Sequence, residues 1–400
     1  MKHTVCVVTG SRAEFGILLP LLRRLHDSSE IEFRLVVTGS HLSHAYGYTV
    51  DEIRRTGLPV HAEIPLPLEA GNDKAGMVKA AGAAMSSFAD YFSAHRPELV
   101  LVLGDRYEIF AAAAAAAMLG IPIAHLHGGE ITEGAVDEFL RHSITKMSDL
   151  HFVSCEPYRR RVIQLGEAPE RVFNVGALGV ENVLHTPLLS AQELDASLGF
   201  SLHDAPYAVV TFHPVTLEEH TAAGQLAELT AAMDAFPAMN FLITKANADA
   251  GGQEINMLWE QATVRRPHWH LTASLGMQRY LSALRDAKLM LGNSSSGMTE
   301  APAMHIPTVN IGDRQKGRMR SESIIDCPPE RHAIRAAIEQ AMTPEFRKRA
   351  AAAVSPFGDG RTSEKIMAEL LRYLRGGPHD RKKVFYDLPA AAETAASPHS

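Results

Sequence analysis

Leu99-Val-Leu-Val-Leu-Gly-Asp-Arg106 and Ile121-Pro-Ile-Ala-His-Leu-His-Gly-Gly-Glu130 each run from a short apolar stretch straight into acids, glycines and, in the second, histidines. Apolar runs of this length bounded by glycine read as buried strands. Between them, Phe110 followed by Ala111–Ala117 reads as a buried helix face that stops at Leu119-Gly120. Strand, helix, strand is the unit of a parallel α/β sheet, in which ligands bind beyond the carboxyl ends of the strands. Both acidic segments therefore fall on a ligand-binding edge, and Asp137-Glu-Phe-Leu-Arg-His142 follows shortly after. Several carboxylates gathered at one sheet edge point to proton transfer on a bound substrate.

The same alternation extends both ways. Upstream and downstream, Val5–Val8, Phe33–Val37, Val60–Ile64, Leu150–Val153 and Val172–Val175 join Leu99–Leu103 and Ile121–His125 as strands of one doubly wound domain. A polar segment from about Glu181 to Asp204 intervenes, placing a boundary near Gly179–Asp204. A second set follows: Tyr207–Phe212, Phe241–Thr244, His270–Thr272, Leu289–Leu291 and Thr308–Ile311. Thr362–Leu374 reads as a last helix, and the Pro-, Gly- and Ala-rich tail from Gly376 to Ser400 is expected to be disordered at its end. Two such domains place a cleft between two sheet edges, suited to a ligand with two distinct ends such as a nucleotide-sugar.

The 400 residues are 46% hydrophobic and 21% charged, enough for two domains with cores of their own. No apolar run reaches membrane-spanning length, and the N-terminus reads as a first strand rather than a signal peptide. Cys6, Cys155 and Cys327 show no metal-ligand spacing and no disulfide framework, which fits a reducing cytoplasm. A net charge of −7 offers no basic patch for nucleic acid, and the histidines form no zinc-spacing cluster.

The first strand-to-helix turn, Thr9-Gly-Ser-Arg-Ala-Glu-Phe-Gly16, lacks the glycine spacing that admits a dinucleotide pyrophosphate, so no nicotinamide cofactor is expected. Arg12 offers a planar donor fork to a phosphate or carboxylate, or is a surface arginine in a tight turn. Leu289-Met-Leu-Gly292 runs into Asn293-Ser-Ser-Ser-Gly297 and a helix start with Glu300 in its first turn. That pattern reads as an anion site or as an ordinary helix cap, and in a nucleotide cleft Glu300 can accept both hydroxyls of a ribose. Asn310-Ile-Gly-Asp-Arg-Gln-Lys-Gly-Arg318 is a basic loop after another strand, while His213-Pro214 and Asn247-Ala-Asp-Ala-Gly-Gly252 close two more strands on the same edge. Asp105 beside Arg106, and Asp137, Glu138 and Arg141 on one helix, also have an ordinary reading as structural ion pairs; their convergence favours function.

Taken together, Thr9–Gly16, Gly104-Asp-Arg-Tyr-Glu108, His125–Glu130, Asp137-Glu-Phe-Leu-Arg-His-Ser-Ile-Thr-Lys146, Asn293–Gly297 and Gly312-Asp-Arg-Gln-Lys-Gly-Arg318 resemble the hydrolysing UDP-N-acetylglucosamine 2-epimerases. The likeness is greatest to the bacterial enzymes of sialic-acid capsule synthesis, and it runs from about Val5 to Phe385-Tyr-Asp-Leu-Pro389. The resemblance implies a GT-B fold: Rossmann-like domains over 1–180 and 181–365, then a helix crossing back and a tail over 366–400. It implies conversion of UDP-GlcNAc and water to UDP and ManNAc by elimination to 2-acetamidoglucal and rehydration. Because an unactivated sugar C2–H is not acidic, the departure of UDP must make it so, and inversion requires proton-transfer groups on opposite faces.

Carried over by motif, Asp105 and Asp137 match acid/base residues, Arg141 a site arginine, and His213 a histidine near the leaving phosphate. Arg12, Gly16, Arg106, Asn247, Ser294, Ser295, Glu300 and Arg314 match UDP contacts. Relatives carry a glutamate where this chain has His127; Glu130, three residues on, preserves the charge and is expected to take that role. A UDP-sugar and UDP are the implied partners, with no metal, and the family expectation is a homodimer or homotetramer. Other readings are the same reaction on UDP-2,4-diacetamido-2,4,6-trideoxyglucose, a GT-B glycosyltransferase that needs an acceptor, and a nucleotide-sugar sensor without turnover.

Overall fold

β-strands form where the apolar runs predict them. The computed structural model describes residues 2–67, 74–133, 136–214, 221–246, 251–377 and 382–388. The first sheet comprises β1 (His3–Thr9), β2 (Ile31–Thr38), β3 (Val60–Ile64), β4 (Leu99–Leu103), β5 (Ile123–Leu126), β6 (Leu150–Val153) and β7 (Val172–Asn174). The second comprises β8 (Tyr207–Thr211), β9 (Asn240–Thr244), β10 (Trp269–Thr272), β11 (Leu289–Gly292), β12 (Thr308–Ile311) and β13 (Ile324–Cys327). Their orders are β3-β2-β1-β4-β5-β6-β7 and β10-β9-β8-β11-β12-β13, and every pair is parallel. Each order reverses once, between β1 and β4 and between β8 and β11, and those switch points are where a doubly wound sheet opens a crevice.

Alternation within each strand divides the core between the two faces of its sheet. Val5, Val7, Leu99 and Leu101 pack with Leu18, Leu21, Leu22 and Leu25 of the helix Arg12–Asp27. Cys6, Val8, Val100 and Val102 face the other way, onto Phe88, Phe92 and the alanines of the helix Tyr107–Met118. With both faces covered, the strands read as unbroken apolar runs. β5 begins two residues later than the apolar run, after Pro122, which lacks a ladder N–H. β13 has no counterpart among the expected strands: it is a partly exposed edge whose two isoleucines are followed by Asp326.

The helix Thr362–Arg375 returns to the first domain, burying Ile366, Leu370, Tyr373 and Leu374 with the core of β1 and β4. Its N-terminus is held by Glu181, which accepts from the Ser363 backbone at 2.6 Å and from the Ser363 hydroxyl. Beyond it, Lys383 donates to the carbonyls of Lys146 (2.8 Å) and Ser148 (2.6 Å) and pairs with Glu167 at 2.6 Å. The expected disorder of residues 389–400 lies outside the described residues. Among the described residues no helix is long and apolar enough to cross a membrane.

Candidate functional site

The first-domain half is organised by one buried guanidinium. Arg141, 1% exposed, sits one helical turn after Asp137, the first residue of the helix Asp137–Met147, so the two share a face. Its Nη1 donates to the Glu130 carbonyl at 2.9 Å and to Glu138 at 3.0 Å; its Nη2 donates to Thr132 Oγ1 at 2.5 Å and to Asp105. A charge this deep is tolerable only when its donors are satisfied by anions and carbonyls. Burial alone would lower the guanidinium pKa, but Asp105 and Glu130 more than reverse this, so the group stays charged. Asp105 is thereby fixed beyond β4 and paired with Arg141, not with the adjacent Arg106. His125, wholly buried in β5, bonds the Gly104 carbonyl (2.7 Å) and Thr145 (3.2 Å), and burial holds its pKa down at about 3, so it is a neutral strut.

Beyond β5 the two domains meet. Glu130 Oε2 pairs with Arg318 of the second domain at 3.1 Å, while Oε1 accepts from Ser154 at 3.2 Å and lies 3.1 Å from His127 Nδ1. Burial would raise the Glu130 pKa, but Arg318, His127 and Arg141 hold it well below the usual carboxylate range. Arg318 also donates to the Ile131 carbonyl at 3.2 Å, and Gly317 (φ +82°) lies so close to Ile131 that a Cβ there would collide with it. Only glycine lets the basic loop dock this tightly. Met319 N donates to the Tyr158 hydroxyl at 3.0 Å, completing the junction.

The second-domain half rests on Asn293. Its amide oxygen accepts from His213 N at 2.7 Å and its amide nitrogen donates to the His213 carbonyl at 2.8 Å, clamping the ends of β8 and β11 across the switch point. Gly292 (φ +130°) permits this, since a Cβ there would overlap the Thr211 carbonyl. The Asn293 carbonyl in turn accepts from Arg314 at 3.1 Å and Gln315 at 2.8 Å. Ser294 caps a single 3-10 turn, Ser295–Gly297, before the four-residue helix Glu300–Ala303. The anticipated helix start is thus real but short, and what it offers a ligand is hydroxyls and local N–H groups, not a long-helix dipole.

A cavity of about 210 Å³ lies between these halves, lined by Arg12 and Gly16 of the first domain and His213, Ser294, Ser295, Glu300 and Arg314 of the second. Arg12 spans the cleft, donating to the Ala273 carbonyl at 3.1 Å. The helix that carries it is pinned at Pro20, which leaves the Gly16 carbonyl without its usual donor; Asn182 Nδ2 supplies one at 3.0 Å. Glu300 is buried there, and burial pushes its carboxyl above the ordinary range.

Of the residues singled out in the sequence, Asp105, Glu130, Asp137 and Arg141 lie at the domain junction and not in the cavity's lining, and Arg106 is also outside it, paired with buried Glu108 at 2.6 Å. Asn247 lies outside the described residues. The lining also includes Lys245, Met277 and Tyr280, whose hydroxyl donates to Ser296 at 2.6 Å. Lys245 directly follows β9 and was findable by position, whereas Tyr280 sits mid-helix with no local signal. Arg318 was legible only as one cation of a basic run. Among the described residues, no group of three or more His, Cys, Asp or Glu side chains is placed to hold a metal ion.

Comparison with known proteins agrees with this geometry. The chain is 38% identical over 348 residues to the GDP/UDP-N,N'-diacetylbacillosamine 2-epimerase (hydrolyzing) of Campylobacter jejuni, covering 87% of this chain and 89% of that one. It is 38% identical over 386 residues to the polysialic acid biosynthesis protein P7 of Escherichia coli, covering 96% and 97%. In fold it matches the crystal structure of UDP-GlcNAc 2-epimerase from Neisseria meningitidis bound to UDP-GlcNAc, with a TM-score of 0.77 at 18% identity, covering 92% of this chain and 100% of that one. These two parallel-sheet α/β domains have the GT-B-like fold, residues 23–371 match the family described as UDP-N-acetylglucosamine 2-epimerase, and the chain belongs to that family.

Proposed function

We propose that this protein is a hydrolysing 2-epimerase that converts UDP-GlcNAc and water to UDP and ManNAc, a precursor for sialic acid. The observation that carries the reading is the domain junction, where Glu130, bonded to Arg141 through its carbonyl, pairs with Arg318 of the second domain, and His127 and Arg318 act electrostatically on Glu300 of the serine- and arginine-lined cavity. Arg12, Gly16, Ser294, Ser295, Glu300 and Arg314 hold the UDP moiety, with His213 at the leaving phosphate. As the C1–O bond to UDP stretches, positive charge at C1 acidifies C2–H, a base removes that proton, and 2-acetamidoglucal forms. Asp105 and Asp137 carry acid/base work, and Arg141 holds Asp105 in place. Water then adds at C1 while C2 is protonated on the opposite face.

The experiment is turnover of UDP-GlcNAc in deuterated water with no acceptor, followed by product NMR. ManNAc bearing deuterium at C2 is expected; ManNAc without it sinks elimination and rehydration, and UDP release that needs an added acceptor sinks the epimerase reading in favour of glycosyl transfer. The similarity to the Campylobacter jejuni enzyme favours one second reading, the same reaction on UDP-2,4-diacetamido-2,4,6-trideoxyglucose. Comparing kcat/KM for the two sugar nucleotides decides between them.

A further inference from the structure

His127 holds a conformation that few side chains adopt. Its φ is +64°, and the other described non-glycine residues with positive φ are Tyr48 and His305. Such strain persists where surrounding structure enforces it, and it gathers at working sites. Here the ring is clamped from one side: Nδ1 lies 3.1 Å from Glu130 Oε1, while Nε2 is buried and has no hydrogen-bond partner among the described residues. Glu130 has no comparable freedom, because its other oxygen is tied to Arg318 at 3.1 Å and Ser154 shares the first at 3.2 Å. The charged or titratable groups around the ring are Glu130 on its own loop, Arg318 and Glu300 from the second domain, and His125 of β5, with Arg141 reaching the same loop through the Glu130 carbonyl.

We propose that His127, through Nε2, is the base that takes the C2 proton, and that Glu130 is its positioning residue rather than the proton-transfer group itself. The proposal rests on the epimerase reading above. With Glu130 accepting from Nδ1–H, the neutral ring presents its lone pair at Nε2, the tautomer a base requires. In the elimination Nε2 takes the proton from C2, the C2–H electron pair becomes the C1=C2 double bond, and the C1–O bond breaks with both electrons leaving on UDP. The imidazolium is balanced by the Glu130 carboxylate and returns its proton to water before the next cycle. Reprotonation of C2 from the other face falls to Asp105 or Asp137. This division differs from the sequence expectation, which gave the acid's role to Glu130.

The test uses the full-length chain with UDP-GlcNAc, following kcat, KM and the pH dependence of kcat/KM. His127→Asn is the informative change, since asparagine tolerates positive φ and has no basic nitrogen. It is expected to lower kcat by about 10³-fold with little change in KM, in the range of a lost general base. Glu130→Gln is expected to lower kcat less, and to shift the ascending limb of kcat/KM to lower pH, because an imidazole without its carboxylate gives up its proton more readily. Glu130→Asp, which retains the charge, should move the limb back. A merely structural Glu130 would lower activity and leave the limb unmoved, which overturns the positioning role. A His127→Asn enzyme within tenfold of wild type overturns the whole proposal, and that variant alone decides if Glu130→Gln does not fold. Failure of the wild type to turn over either sugar nucleotide would instead defeat the epimerase reading.

Discussion

The two halves of the cleft are built from opposite materials. The first domain concentrates formal charge, with Arg141 1% exposed against Asp105 and Glu138, and Glu130 tied to a cation from across the junction. In the second domain uncharged groups hold the frame, with Asn293 clamping His213, Ser294 capping a turn and Tyr280 on Ser296, while Lys245, Glu300 and Arg314 add charge to the lining. Buried charge is expensive to assemble but needs no reorganisation when charge develops during a reaction. Amides and hydroxyls cost less and suit a ligand that keeps its charge throughout. On the proposed reading, the acid/base work falls to the first domain and most of the UDP contacts to the second, with Arg12, Gly16 and His213 crossing that line, so a change among the carboxylates should move kcat and a change among the serines and Arg314 should move affinity.

The sharpest break in that division is at the carboxylates. Asp105→Asn and Asp137→Asn are each expected to lower kcat by about 10³-fold while leaving UDP affinity, read by calorimetry, within a few-fold of wild type. An active variant would remove that aspartate from acid/base work, and a variant that loses UDP binding would dissolve the division itself. Next in size is Arg141→Met. It leaves Asp105 and Glu138, each about one-fifth exposed, without their shared guanidinium, a loss of about 3 kcal/mol by urea denaturation. Adding Asp105→Asn should recover part of that loss, because the stranded charge is then gone. Strictly additive losses would mean that the Asp105–Arg141 contact does not hold the site together.

How far the sequence exposed this arrangement depended on how local each signal was. The strands were legible because both faces of each sheet are covered, which makes Leu99–Leu103 an uninterrupted apolar run. β13 was not, because an edge strand beside Asp326 carries no such run. Asp105, Asp137 and Ser294 were legible because each directly follows a strand or opens a helix or turn. Their partners were another matter. Arg141 to Asp105 spans 36 positions, and Arg318 to Glu130 joins different domains, so neither pairing leaves a periodic trace in the chain. Arg106 illustrates the limit: it is adjacent to Asp105 in sequence, but in the fold it pairs with Glu108.

A smaller effect tests the binding half. Ser294→Ala and Arg314→Ala are expected to weaken UDP binding, by roughly threefold for the hydroxyl and about 10- to 100-fold for the charged donor, as hydrogen bonds to a phosphate are lost. Their kcat at saturating substrate should stay near wild type. A fall in kcat with unchanged UDP affinity would place that residue with the chemistry instead, and the contrast between halves would fail from the other side.

The contrast also has a signature in stability against pH. The first domain buries His41, bonded to Thr9 at 3.2 Å and Thr49 at 2.8 Å, and His125; burial holds both rings down at about 3, and shifts His151 in the same direction. The unfolded chain protonates His41 and His125 below about pH 6.5 while the folded chain does not until about pH 3, so stability rises with pH through that window and is lost as pH falls through it. Glu14 and Glu300, whose carboxyls burial pushes up, act in the opposite sense, so the wild-type slope alone does not isolate the imidazoles. The difference between proteins does. Between pH 6.5 and 5, His41→Gln should show a stability slope shallower than wild type, by about 0.7 kcal/mol per pH unit at pH 6.5 and approaching about 1.4, the contribution of one proton, toward pH 5 in urea titrations. Equal slopes would mean that His41 is protonated in the folded chain, and the first half would then tolerate a buried cation without a carboxylate to balance it.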